Sequence, residues 1–250
     1  MIKKSFIFLP RVSNNAEKNI WSQGIDDWDS FISKKSINGF SSLRKKVMDI
    51  NILKAKKALW NDDLDFFHQN LKKKDHFRLY NQLKDDTVFL DIETTGYRGN
   101  ITVLGLFDGY ETKTFVRDIN MDRKKVLQEL AKYKAVVTFN GLSFDMPIVE
   151  KYFGFKWNKP HIDLRYVCSR LGHTGGLKNI EKVFNLKRAD DVDGMCGSDA
   201  VLLWRDWRKN GNRASLNKII AYNEEDIVNL KPLADKTIPM LWQSLAKHLN

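Results

Sequence analysis

The chain has 250 residues, with 42 Lys/Arg against 31 Asp/Glu, a formal net charge of +11 and a pI near 9.5. That length allows one large domain, or one domain with an appendage, and a substantial core. Two cysteines, Cys168 and Cys196, exclude a disulfide framework or a cysteine metal cluster, and no apolar run is long enough to span a membrane. The apolar part of the opening segment Met1–Pro10 is too short for a signal peptide, so the expected location is cytoplasmic. The positive charge suits a polyanionic partner such as nucleic acid, and it is uneven. Residues 1–84 hold 17 Lys/Arg and 9 Asp/Glu, whereas residues 85–250 hold 25 and 22.

Residues 1–84 read as a basic, mostly helical region packed on the remainder of the chain, since no repeat or low-complexity linker separates them from it. Trp21, Ile25, Trp28, Phe31 and Ile32 recur at helical spacing, interrupted by Gly24. A second helix is expected over about Ser41 to Trp60, with Lys45, Lys46, Lys54, Lys56 and Lys57 exposed. A third follows the acidic start Asn61-Asp62-Asp63 and carries Phe66, Phe67 and Leu71. Lys72, Lys73 and Lys74 come near its end, where cations suit the helix dipole and are available to phosphates. Trp21, Trp28, Trp60 and Phe77 read as core rather than as platforms for stacked bases.

From residue 85 the pattern changes. Strands are expected at 87–92, 101–107 and 111–117, with a turn at Phe107-Asp108-Gly109-Tyr110. A helix at 121–133, a strand at 135–139, a helix at 146–153 and a strand at 160–164 come next. Helices at 165–171, 176–185, 198–209 and 215–237 complete the chain. This order gives an α/β domain with a mixed sheet over residues 85–250.

Val88-Phe89-Leu90-Asp91-Ile92-Glu93 carries two acids at i, i+2 in a strand-forming apolar run, which puts both carboxylates on one face. Unpaired buried charge is expensive, and a divalent cation is the usual reason to tolerate it. Asp145 lies beside the start of the helix that Met146-Pro147 opens, just past a strand. Tyr222 and Asp226 are i, i+4 on one helix face. Asp190, Asp191, Asp193 and Asp199 do not have the spacing of a calcium loop, and Ser198-Asp199 reads as a helix start. His68, His76, His161, His173 and His248 form no pair at metal-ligand spacing.

Asp-x-Glu, Asn140-x4-Asp145 and Tyr222-x3-Asp226, in that order, resemble the DEDD (DnaQ-like) exonuclease superfamily, and most nearly its YprB-type branch. His161-Ile162-Asp163-Leu164, Gly176-Leu177-Lys178-Asn179-Ile180-Glu181 and Tyr222 to Val228 also match, so the likeness covers roughly residues 85–235. Ala221 stands where the histidine subtype has its histidine, which points to the tyrosine subtype.

The resemblance implies a ribonuclease H-like fold, with Asp91, Glu93, Asp145 and Asp226 as ligands to two magnesium or manganese ions. Tyr222 orients the attacking water in this reading. Thr94, Thr95 and Gly96 approach the terminal nucleotide. Asn140 either contacts substrate or holds its loop, and Leu142 and Phe144 either wedge against terminal bases or pack. Asp163 is expected to serve by hydrogen bonding rather than metal ligation, and Glu224 and Glu225 to be solvated.

The implied activity is 3′–5′ hydrolysis of single-stranded nucleic acid, DNA before RNA. A nucleic-acid-binding or docking subunit of a repair assembly, or a structure-specific endonuclease, stays as the alternative. The sequence leaves the oligomeric state open.

Overall fold

The computed structural model describes residues 1–97, 99–189, 192 and 194–247. Asp190, Asp191, Asp193 and His248, considered above for calcium and metal binding, lie outside the described residues.

The N-terminal region contains α1 (Asn14–Trp21), α2 (Trp28–Ser33), α3 (Ser42–Trp60) and α4 (Asp65–Asn70). A 3-10 helix (Lys73–Leu79) and α5 (Tyr80–Leu83) come after them. Side chains at each entrance start the longer helices. Ser13, Asp27 and Ser41 each accept a backbone N–H of the first turn. Gly24 stands in the left-handed region between α1 and α2, φ +71°, where the helical pattern breaks.

Trp21, Trp28 and Phe77 are buried, as expected, but Trp60 is on the surface. Lys45 is a correction: it is only 4% exposed, with its ammonium over the Phe31 ring and paired with Asp49. Its long stem suits a core edge when the charge keeps a partner. Lys72–Lys74 also depart from expectation, because α4 stops at Asn70 and the three lysines lead into the 3-10 helix instead.

The rest is a five-stranded sheet in the order β3-β2-β1-β4-β5. Its strands are β1 (Thr87–Thr94), β2 (Ile101–Phe107), β3 (Thr112–Val116), β4 (Ala135–Thr138) and β5 (His161–Asp163). β1 to β3 form an antiparallel meander, and β4 and β5 join β1 in parallel. The helices are α6 (Arg123–Ala131), α7 (Asp145–Phe153), α8 (Leu164–Arg170), α9 (Leu177–Val183), α10 (Gly197–Asn210) and α11 (Arg213–Leu245). This mixed sheet flanked by helices is the ribonuclease H-like arrangement that the resemblance implies.

Period-two alternation in β1 sets up the site. Val88, Leu90 and Ile92 share a core with Val126 and Leu130 of α6 and Val149 of α7. Phe89, one residue out of phase, packs with Ile227 and Leu230 of α11. Asp91 and Glu93 follow Phe89 on the α11 side.

The strand continues two residues beyond the expected end, through a register shift at Glu93/Thr94. Such a bulge bends a strand and re-aims its side chains. α11 likewise outruns expectation, with 33 residues and Pro232 and Pro239 inside it. Each proline removes a helical hydrogen bond, but Leu230, Leu233, Ala234, Ile238 and Leu241 bury one continuous face against the core.

The N-terminal region meets the sheet through Phe77 and Tyr80, which share a core with Phe89, Val137 and Ile162. A buried ion pair ties its own segments together. Arg78 donates to both Glu17 oxygens at 2.8 and 2.9 Å, and Glu17 Oε1 also accepts the N–H groups of Phe6 and Ile7.

Candidate active site

Asp91, Glu93 and Asp226 each offer a carboxylate oxygen within 4.8 Å of the others. β1 supplies the first two and α11 the third. Helix periodicity puts Tyr222 one turn before Asp226, and both side chains are buried at the cleft. Asp145 opens α7 and is buried beside the cluster, with its Oδ1 accepting the Ile92 N–H at 3.1 Å. The structure therefore groups three of the four expected ligands by their oxygens and fastens the fourth to the β1 backbone.

A close approach of α11 to the sheet makes the cluster possible. Gly105 of β2 pairs with Asp91, and a Cβ there would lie 2.1 Å from Asn223 Oδ1. Its absence lets Asn223 lie flat on the sheet, where Nδ2 donates to Asp91 Oδ2 at 2.9 Å. Asn223 is fully buried, so this hydrogen bond fixes both the helix and the carboxylate.

Electrostatics at the cluster are strongly perturbed. Burial, then repulsion from Asp145, Asp226 and Glu93, pushes Asp91 well above the ordinary carboxylate range. Burial, then Asp226 and Asp145, does the same to Glu93. Burial raises Asp145 to about 7. Asp226 is also raised by burial, but only to about 6, because the Arg188 guanidinium opposes the shift. The Tyr222 phenol is pushed up by burial and by Asp226, so it stays protonated and available as a donor.

Two cations reach this group, and sequence reading missed the role of both. Arg188 Nη2 lies 2.5 Å from Asp226 Oδ1, while its Nε and Nη2 donate to Glu181 at 2.6 and 2.9 Å. Lys178 places its Nζ 4.8 Å over the Tyr222 ring, buried and without a hydrogen-bond partner among the described residues. Burial and the neighbouring Arg188 push that ammonium's pKa down. Lys178 and Glu181 both lie on α9, within the Gly176–Glu181 motif, for which the sequence alone suggested no role. An unexplained Lys and Glu three residues apart on one short helix were the available signal.

The cluster opens into a cleft of about 650 Å³ lined by Thr94, Gly96, Phe144, Val201, Leu202 and Arg205, among others. Thr94 turns its hydroxyl onto the Gly96 carbonyl, and Thr95 accepts the Asn100 N–H. Gly96 has φ +132°, a conformation that favours glycine. The opposite wall is α10, whose first turn is closed by a reciprocal Cys196–Asp199 capping box. Phe144 also lines a second cleft of about 730 Å³ beside the first, with Asn140, Lys151, Tyr152 and Arg165.

Asp163 behaves as expected of a hydrogen-bonding residue: it accepts N–H groups from Asn140, Leu142 and Arg165 at 2.8, 3.0 and 3.0 Å. Asn140 has φ +67°, and its Oδ1 accepts from Arg165 Nη1. Leu142, Lys73 and Lys74 sit apart from the main cleft, in a small hollow that they line with Phe77 and Tyr166. Lys72, Lys73 and Lys74 are all exposed. The expectation for Glu224 and Glu225 is corrected. Both are half-buried, with Glu224 accepting from Thr114 Oγ1 and Glu225 from the Ala189 N–H. His76 and His161 also meet in space despite their sequence spacing. His76 Nδ1 lies against the His161 backbone, His161 Nε2 is 2.8 Å from Thr138 Oγ1, and burial first lowers both pKa values, to about 4 and about 3.

A family model of the RNase H superfamily matches residues 88–238. The chain belongs to the RNase H superfamily. The match spans the four acids and Tyr222. No curated protein matches the chain. Among solved structures, the family B DNA polymerase from the hyperthermophilic archaeon Pyrobaculum calidifontis gives a TM-score of 0.51 at 15% identity. That match covers 64% of this chain and only 27% of the polymerase. Escherichia coli RNase D, an exoribonuclease involved in structured RNA processing, gives 0.44 at 13% identity, over 70% of this chain and 48% of its own. At 15% identity the polymerase likeness bears on the fold alone.

Of the described residues, no helix is long and apolar enough to cross a membrane.

Proposed function

We propose that the chain is a metal-dependent 3′–5′ exonuclease acting on single-stranded nucleic acid, with DNA preferred to RNA. One observation carries this reading: three carboxylates gathered within 4.8 Å at an open cleft, on an RNase H-superfamily scaffold. The donor set is all oxygen, and its buried charges repel one another. Such a set suits magnesium or manganese, which relieves the repulsion. Asp91, Glu93 and Asp226 are the residues to hold the metal, with Asp145 as the fourth acid. A bound pair of ions supplies Lewis-acid stabilisation of the attacking and leaving oxygens.

The protein's own residues do the remaining work in this reading. Tyr222 keeps its proton and orients the attacking water as a donor rather than removing a proton from it. Lys178, its Nζ buried beside Tyr222 with no hydrogen-bond partner among the described residues, is available to a non-bridging oxygen of the scissile phosphate. Arg188 positions Asp226.

Phe144 on one wall, with Val201 and Leu202 on the other, gives apolar surfaces for an unpaired terminal base, and Arg205 is available to a phosphate. Water adds to phosphorus, the bond to the 3′-oxygen breaks, and a 5′-nucleotide leaves a shortened strand with a new 3′-hydroxyl. The exposed Lys72–Lys74 run would then contact the more distant backbone.

The test uses 5′-labelled single-stranded DNA and the matching RNA with magnesium, manganese or EDTA. The expected product is a metal-dependent ladder shortening from the 3′ end, stronger on DNA and absent for Asp91→Ala. Binding of both strands without cleavage of either would replace this reading with that of a binding subunit.

A further inference from the structure

α3 is apolar on two sides. Met48, Ile52, Ala55 and Ala58 are buried in the N-terminal core. On the other side Leu43 is 73% exposed, Val47 42%, Ile50 53%, Leu53 54% and Trp60 89%. At about 100° per residue these five side chains fall within an arc of about 140°, and they run about 26 Å along the helix. Scattered apolar residues on a surface need no explanation, but a continuous stripe marks a contact surface. The 43, 47, 50 spacing is the one by which a helix seats another helix.

Charge then selects the occupant. The same arc carries Lys46, Lys54 and Lys57, all exposed, none with an acidic partner among the described residues, and it contains no Asp or Glu. The acid of this helix, Asp49, lies at the arc's edge and is taken by Lys45. A second copy of α3 would bring lysines against lysines with nothing to neutralise them. A helix with an apolar seam and acidic flanks would cover the stripe and pair with the lysines together. At its C-terminal end the stripe borders a cleft of about 270 Å³ whose charges balance, Lys3 and Lys56 against Asp27 and Asp29, and whose Trp28, Leu59 and Trp60 can receive a bulky apolar anchor.

We propose that the outer face of α3 is a docking surface for an acidic amphipathic helix of a partner protein. None of its residues lines the catalytic cleft, so the proposal stands apart from the nuclease reading.

The probe is a labelled synthetic helical peptide of about 18 residues, the length of the stripe, with a leucine seam flanked by glutamates. Its controls are a peptide of the same composition in permuted order and one with lysine in place of glutamate. Fluorescence anisotropy with the full chain should show the acidic amphipathic peptide binding at least about tenfold more tightly than either control, and weakening with salt. Ile50→Ser/Leu53→Ser should lose at least about tenfold in affinity without a change in Tm, because both side chains are largely exposed. Lys46→Glu/Lys54→Glu/Lys57→Glu should reverse the preference toward the lysine peptide. Equal binding of the controls, or affinity untouched by these variants, would overturn the proposal. So would a dimer that Ile50→Ser/Leu53→Ser dissolves, or stripe-dependent binding to phosphatidylserine vesicles without preference for the acidic peptide.

Discussion

Gly105→Ala is the smallest change that tests how the cluster is assembled. The added methyl would sit 2.1 Å from Asn223 Oδ1, 3.0 Å from Asn223 Cγ and 3.0 Å from Ile227 Cδ1. A contact at 2.1 Å cannot persist, so either Asn223 leaves Asp91 or α11 moves away from β2. Overpacking of a tight core costs roughly 1–3 kcal/mol, and a lost hydrogen bond to a charged group adds roughly 1.5–3 kcal/mol. For a chain of this size each kcal/mol lowers Tm by about 2–4 °C, so a fall of about 5–24 °C is expected. Cleavage should fall as well, since α11 carries both Tyr222 and Asp226.

The assay is a double-mutant cycle with Asn223→Ala, read by thermal unfolding and by metal-dependent digestion. Asn223→Ala alone breaks the bond to Asp91. In the double variant the methyl meets less side chain, so the two destabilisations should sum to less than their parts by at least about 1 kcal/mol. Strict additivity, or a Gly105→Ala protein within about 0.5 kcal/mol of wild type, would refute the close-approach argument.

Three other outcomes follow from the geometry. Folded-state pKa values above the unfolded ones mean that the stability tied to Asp145 and Asp226 is complete below about pH 4 and lost as pH rises through about 6 and about 7. Metal-free protein should therefore lose roughly 4 kcal/mol between about pH 5 and pH 8, and Asp91→Asn should flatten that loss while abolishing cleavage; a metal-free Tm that rises over this range would contradict it. Arg188→Met leaves Glu181 and Asp226 buried without their cation, and chemical denaturation should show a loss of about 3–5 kcal/mol, against none if the pair is idle. Lys72→Glu/Lys73→Glu/Lys74→Glu should weaken strand binding and flatten its salt dependence, and unchanged affinity in an anisotropy titration would remove this run from the nucleic-acid path.

The elements most legible in the sequence are those whose periodicity agrees with their burial. β1 and β4 are apolar runs buried on both faces, and α11 repeats its apolar residues every three or four positions. Asp91 with Glu93, and Tyr222 with Asp226, were readable because each pair shares one element and its spacing fixes a common face. Contacts between distant segments were not readable. Asn223 reaches Asp91 across 132 residues, and Glu181 meets Asn229 across 48. Gly105 looks like any strand glycine until α11 is laid over it. Lys45 was misplaced because a lysine at the edge of a helix face buries its stem when Asp49 and Phe31 receive its charge. α11 continues to Leu245, past the expected end at 237, because Ile238 and Leu241 extend the buried face beyond Leu233 and Ala234.

The central claim is that Asp91, Glu93 and Asp226, with Asp145 beside them, form a divalent metal centre, and manganese binding tests it most directly. Titration of the metal-free protein with Mn²⁺, followed by electron paramagnetic resonance of the free ion, should show two ions taken up per chain in the presence of a non-cleavable single strand. Asp91→Asn and Asp226→Asn should each remove at least one of them. Mn²⁺ uptake that is absent in the wild type, or identical in both variants, would contradict the account.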